Sequence, residues 1–363
     1  MVSVVDVRDG VVRKLTGEFW AEEGLAWSPD GHDVLFSASS GQGGEPYQAM
    51  AVNVSGPPLV RQVVATPAAI VVQDMARAGR MLTFNDESRT IPRVLVPGES
   101  AERDAPWLDF AFNGYLSRDG KWLAFTDGNQ SAGVNYQAAL RDMTTGRVVR
   151  LGEGLVIGIS PDARWVSSIV PSTMQVAAYA TGAGDAVKLG AGLAGFKGLP
   201  GAVSWSPDSR RLTYCGSETG KPPKCYTQEV PSGSPKPITA EGFVSALGSE
   251  DGRSLLLNAA DGKWYLVVDG GAPAPVKGLQ PQDRPFGMTR DGALVVQAGQ
   301  DVPARVERVN PTTGVRTLIE LIAPSDVSGV NLVRLTQWID DGKGYTYHYG
   351  RQLSRLYVVS GVK

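Results

Sequence analysis

Two histidines, His32 and His348, are all that 363 residues offer for imidazole chemistry, whether as a proton shuttle or as a metal ligand. His32 follows an Asp-Gly turn, and His348 alternates with Tyr345, Tyr347 and Tyr349 in a strand-like run. No third ligand accompanies them, so they read as a solvated turn residue and a strand residue. A serine hydrolase would need Ser, His and an acid converging on an elbow of the form Gly-x-Ser-x-Gly, and that pattern does not occur. Residues 216–221 end in Gly-Lys, but Pro222 stands where a phosphate-binding loop requires Ser or Thr, and the spacing is one residue short. The repeated Asp residues precede glycine singly instead of alternating as oxygen ligands, which makes them turn formers and not a calcium loop. No catalytic set, metal or cofactor is expected. Cys215 and Cys225 flank the Gly/Pro-rich residues 216–224 between two strand-like runs. That placement suits a disulfide across a hairpin, with two unpaired thiols as the alternative; a bridge would imply an oxidising compartment.

The elements that carry these residues come as a repeat of strand, tight turn and strand. Copies include Trp27-Ser-Pro-Asp-Gly31, Leu116-Ser-Arg-Asp-Gly120, Ile159-Ser-Pro-Asp-Ala163, Trp205-Ser-Pro-Asp-Ser209, Gly248-Ser-Glu-Asp-Gly252, Met288-Thr-Arg-Asp-Gly292 and Ile339-Asp-Asp-Gly342, with a degenerate copy ending at Gly79. Their turn positions are spaced about 44 residues apart, the size of one four-stranded propeller blade. Pro presets φ, Asp caps the turn through its side chain and Gly accepts positive φ. The expectation is an all-β protein: a single β-propeller domain over residues 1–363 with eight blades of four antiparallel strands, or seven if the Gly79 unit is an insertion. Residues 11–15 are expected to complete the last blade beside residues 345–349 and 356–359, leaving residues 2–7 surplus; that segment then either displaces the last strand of the chain or belongs to a natural polypeptide that extends further upstream.

Composition fits a chain that buries a real core, with 42% apolar and 20% charged residues. A net charge of −2 gives no attraction to phosphate backbones, so nucleic acid is not an expected partner. The longest uncharged run, residues 165–184, is broken by Pro171, Ser172, Thr173, Gln175 and glycines, so membrane insertion by this chain is not expected. The tryptophans at 27, 122, 165, 205 and 338 recur beside the turns and read as packing residues.

Variable surface should gather opposite the tight turns, in the loops 39–47, 127–136, 216–224 and 279–286. Pro46-Tyr47-Gln-Ala and Asn135-Tyr136-Gln-Ala end two of these loops alike. Tyr47, Tyr136, Trp107 and Arg284 are therefore the candidate contacts for a protein or small-molecule ligand at the loop-rich channel mouth. Asp283 beside Arg284 suggests a local ion pair.

The Trp-Ser-Pro-Asp-Gly type of turn resembles the WD40-like repeats of TolB-type propellers, over nearly the whole chain. The segments 102–110, 115–120, 149–154, 279–285 and 345–363 are similar to the C-terminal propeller of membrane-anchored bacterial Ser/Thr protein kinases. That resemblance implies a non-enzymatic sensor module held outside the cytoplasm, with a kinase domain upstream. A stand-alone periplasmic TolB-type scaffold is the alternative, and an enzyme with a channel-mouth site is the third reading; without a membrane anchor the location would be cytoplasmic. No kinase motif is present, so no kinase activity carries over.

Overall fold

The structure, a computed structural model, describes residues 1–19, 21–39, 47–64, 66, 69–77, 79–191, 193 and 203–362. Strands dominate, the described helices being two single 3-10 turns at Gln130–Ala132 and Asp340–Gly342. The chain divides into two compact units, residues 89–351 and residues 1–88 with 352–363.

The turn chemistry read from the sequence is present in detail. Ser117 Oγ donates to Asp119 Oδ1 at 2.7 Å and accepts from the Trp122 amide at 3.0 Å, while Asp119 Oδ1 accepts the Lys121 amide at 3.1 Å. Ser160–Asp162, Ser206–Asp208, Ser249–Asp251 and Thr289–Asp291 repeat the hydroxyl-to-carboxylate bond. Where the glycine is replaced, Ala163 and Ser209 adopt φ of 58° and 62°, showing that this network holds the left-handed turn even against a Cβ.

In the larger unit these hairpins build six sheets. The first contains Ala111–Leu116, Trp122–Asp127, Gln137–Asp142 and Val148–Glu153, hydrogen-bonded in that order. The second begins with Leu155–Ile159, the third with Ser204–Trp205, the fourth with Phe243–Gly248 and the fifth with Arg284–Met288, each four-stranded and antiparallel. The sixth pairs Val330–Ile339 with residues 344–351, then residues 89–95, then Arg103–Asp104. First strands of consecutive sheets are neighbours, and the first strand of the sixth lies against that of the first, so the cycle closes as a β-propeller.

Six apolar clusters fill the six spaces between sheets. Tyr115, Leu140, Val156 and Tyr179 pack between the first and second. Leu116, Phe125, Val94 and Ile339 do so between the sixth and the first. Polar pins cross the same seams: Thr126 Oγ1 accepts the Val156 amide at 2.8 Å, and Gln337 bonds both the amide and the carbonyl of Leu116, at 2.7 and 3.1 Å. These satisfy backbone groups that a radial stack of sheets would otherwise leave buried and unpaired.

All eight repeats form hairpins, but the closed cycle holds six of them and not the expected eight or seven. The other two belong to the smaller unit. There Ala21–Trp27, Asp33–Ser39, Gln48–Asn53 and Val60–Val64 form one sheet, and Val71–Ala76 pairs with the start of Arg80–Leu95. Val12–Lys14 does not complete the sheet containing residues 345–349; it pairs with Ser3–Val5. The reason is burial: Val11 and Val12 stay 60% and 62% exposed, whereas residues 89–95 bring Ile91 and Leu95 to the apolar face of Tyr345 and Tyr347. Nor are residues 2–7 surplus, since Val2 packs with Leu15, Val34 and Phe36.

Cys215 and Cys225 are directly opposite each other in adjoining strands of the third sheet, sulfur to sulfur at 2.02 Å. Both are buried against Ala246 and Leu257 of the fourth sheet. Among the described residues, no helix is long and apolar enough to cross a membrane.

Candidate functional site

The ring 89–351 has two channel mouths, one beside the tight turns and one where each first strand begins. At the turn end, a cavity of about 170 Å³ is lined by residues that include Tyr115, Gly158, Trp205, Gly248, Gly287 and Trp338. The space is small because a tryptophan on one first strand lies against a glycine on its neighbour. A Cβ on Gly287 would sit 2.7 Å from Trp338 Cβ. The surrounding turns bond to one another, Asp340 donating its amide to Glu250 at 3.1 Å and Asp162 donating its amide to Ser209 at 3.0 Å. Four of the tryptophans read as packing residues do pack between sheets: Trp205 and Trp338 line this cavity and also join the apolar clusters behind it, and Trp122 and Trp165 lie half-buried, whereas Trp27 is 54% exposed.

The opposite end carries the candidate contacts. Tyr136, with φ of 61°, packs edge-on against Phe112 at 5.7 Å between ring centres, and Phe112 in turn meets Phe110 at 5.0 Å and His348 at 6.0 Å. Leu108, Phe110 and Val134 are exposed around this cluster. Asn135 accepts the Ser172 amide at 3.1 Å and so ties the loop of the first sheet to the second.

Tyr47 and Tyr136 are equivalent in their own sheets, each preceding a third strand and each accepting at its carbonyl an amide from where the next sheet begins, Ile70 at 2.9 Å and Gly154 at 3.2 Å. They belong to different units, so the site is built from the larger unit alone. Residues 40–46 of the loop before Tyr47 lie outside the described residues.

Trp107 is held by its own blade. Its Nε1 donates to Asp127 Oδ2 at 3.0 Å, and Arg150 grips the same oxygen at 2.9 and 2.7 Å. Burial opposes ionisation of Asp127, but the hydrogen bonds from Asn129, Trp107 and Arg150 outweigh it and hold the carboxyl below its ordinary range. In the loop 216–224, hydrogen bonds and charge from Lys221 and Lys224 hold Glu218 down to about 2.

Arg284 differs from these self-satisfied groups. The expected Asp283–Arg284 pair does not form: Asp283 is buried and grips Arg316 at 2.5 and 3.1 Å. Arg284 is half-buried, and burial, with the nearby charge of Arg334, pushes it down to about 10. Arg334, half-buried on the first strand of the sixth sheet, is also lowered by burial. It faces His348 in register, and His348 is forced down to about 3 by burial and by these two cations. His348 accepts the Asn113 amide at its Nδ1 at 3.4 Å. Sequence reading singled out Arg284 but missed Arg334 and treated His348 as a plain strand residue. The signal was available: Arg284 and Arg334 each stand eight residues before a turn glycine, Gly292 and Gly342.

No protein-family model matches the chain, and no curated protein matches it. Among solved structures it is similar to a protein described as TolB from Agrobacterium tumefaciens, at 18% identity and a TM-score of 0.47, over 73% of this chain and 99% of that one. It is also similar to TolB from Acinetobacter baumannii, at 13% identity and a TM-score of 0.35, over 91% of this chain and 83% of that one. Among the described residues, no cluster of three His, Cys, Asp or Glu side chains is arranged to hold a metal ion.

Proposed function

We propose that the chain is a non-catalytic binding propeller that recognises a protein or small-molecule partner at the loop-side mouth of the ring 89–351. The carrying observation is the contrast between the mouths. The turn face is tied by its own hydrogen bonds and narrowed by Trp338 against Gly287, whereas the loop face presents Leu108, Phe110 and Val134 in the open beside Phe112, Tyr136 and two half-buried arginines. Exposed apolar groups rimmed by charge on a rigid frame suit recognition more than bond making.

A stand-alone scaffold of the TolB type, working outside the cytoplasm, is the form of this reading we favour. The repeat supports the type, and the facing cysteines support an oxidising location. The kinase-sensor form rests on the resemblance of segments such as 102–110 and 345–363 alone. Those segments have a structural task, because Glu102 and Asp104 bind Tyr345, Tyr347 and Tyr349.

Affinity capture from a cell-envelope extract tests the assignment with three proteins: the native chain, Phe112→Ala with Tyr136→Ala, and the turn-face variant Arg118→Glu. The loop-face variant should lose the captured partner while keeping its circular dichroism, and the turn-face variant should retain it. Loss at the turn face, or retention by both variants, would overturn the site.

A further inference from the structure

Arg284 and Arg334 occupy the same repeat position on two adjoining first strands, Arg284–Met288 and Val330–Ile339. Both are half-buried. Neither has an ion-pair or hydrogen-bond partner among the described residues, because the adjacent carboxylate of Asp283 is committed to Arg316. Among the described residues the groups within electrostatic reach are each other, Tyr115 and His348, and these supply no carboxylate. His348, 4% exposed and kept uncharged, adds no third cation.

Two half-buried guanidinium groups on adjoining strands, each within reach of the other's charge, are mutually unfavourable, and an anion shared between them would relieve the arrangement. Arginine offers a planar fork that grips the two oxygens of a carboxylate or phosphoryl group together. Phe112 meets His348 edge-on, so the same spot has an apolar wall.

We infer that the channel-lining strands of the fifth and sixth sheets form an oxyanion site, where Arg284 and Arg334 clamp the carboxylate or phosphoryl group of a small ligand. The site deepens the binding-module reading and rests on it, but its test uses purified protein and no partner.

Isothermal titration of the full chain with malonate and with inorganic phosphate, each at constant ionic strength against chloride, should show saturable uptake of at least one. Preference for malonate identifies a carboxylate ligand and preference for phosphate a phosphoryl one. Arg284→Gln and Arg334→Gln should each weaken uptake tenfold or more. Arg284→Lys keeps the charge but loses the fork, and should bind measurably but more weakly. It also serves as the folded comparison should a glutamine variant fail to fold. As a second readout, the preferred anion should raise the melting temperature of the native chain and not that of the double glutamine variant. Uptake of neither anion by the native chain, or uptake unchanged in every folded variant, would overturn the site. Failed partner capture with intact anion uptake would overturn the loop-face docking reading alone.

Discussion

Tyr347 donates its hydroxyl to Glu102 Oε2 at 2.8 Å across 245 residues of chain. The other oxygen of Glu102 accepts from Tyr345 at 2.5 Å, and Arg93 bonds the carboxylate at 2.7 Å. One carboxylate therefore joins three residues of the sixth sheet, the sheet that closes the ring. Glu102→Gln should cost about 2–3 kcal/mol, the usual scale for hydrogen bonds to a charged group. Urea unfolding measures it, and a cycle with Tyr347→Phe should show coupling of about 1 kcal/mol between the two sites. Additive losses would mean that the tyrosine and the carboxylate act independently.

Acid should weaken the first sheet through Asp127. Its folded carboxyl titrates below the unfolded value of about 3.9, so its contribution is present above that value and is lost as pH falls through the folded one. Asp127→Asn should be less stable than the native chain at pH 6, and the gap should shrink as pH falls toward 3. A gap that is constant across that range would show that the charge is not what matters.

Gly287→Ala should destabilise by about 1–3 kcal/mol, since the new methyl meets Trp338 Cβ at 2.7 Å. Gly292→Ala meets nothing within 4 Å but must adopt φ of 82°, which costs about 1 kcal/mol. Thermal melting of both variants separates crowding from backbone strain. The Gly287 variant should also shrink the turn-end cavity.

Replacing Cys215 and Cys225 together by alanine should cost about 2–3 kcal/mol, as expected for a bridge closing a short loop. Thiol labelling followed by mass measurement checks the bond directly: the native chain should take up label only after reduction. Labelling without reductant would show two free thiols.

The turns were legible in the sequence because everything that makes them lies within about five residues. Ser117, Asp119 and Gly120 need no distant partner to bend the chain. Ring size was not legible, because it depends on which remote segment completes the sixth sheet. Residues 11–15 offered an apolar strand, but residues 89–95 offered one whose Arg93 also reaches Glu102. The same locality explains the misreading of Asp283. Its neighbour in the chain is Arg284, yet Asp283 closes the turn before that strand, where its carboxylate accepts the Gln280 amide and binds Arg316 of a remote strand. Arg334 was recoverable by aligning positions before the turns rather than the turns themselves.

Because residues 89–104 must wait for residues 330–351 before their sheet exists, the ring is an assembly with a late clasp. During vectorial synthesis five sheets can form in order as they leave the ribosome, while the earliest-made segment of this unit stays an unpaired edge. Its contacts span nearly the whole unit, the kind of topology that folds slowly. A nascent chain stalled before residue 330 would carry that open edge, the most direct place for a chaperone or a second chain to pair with it.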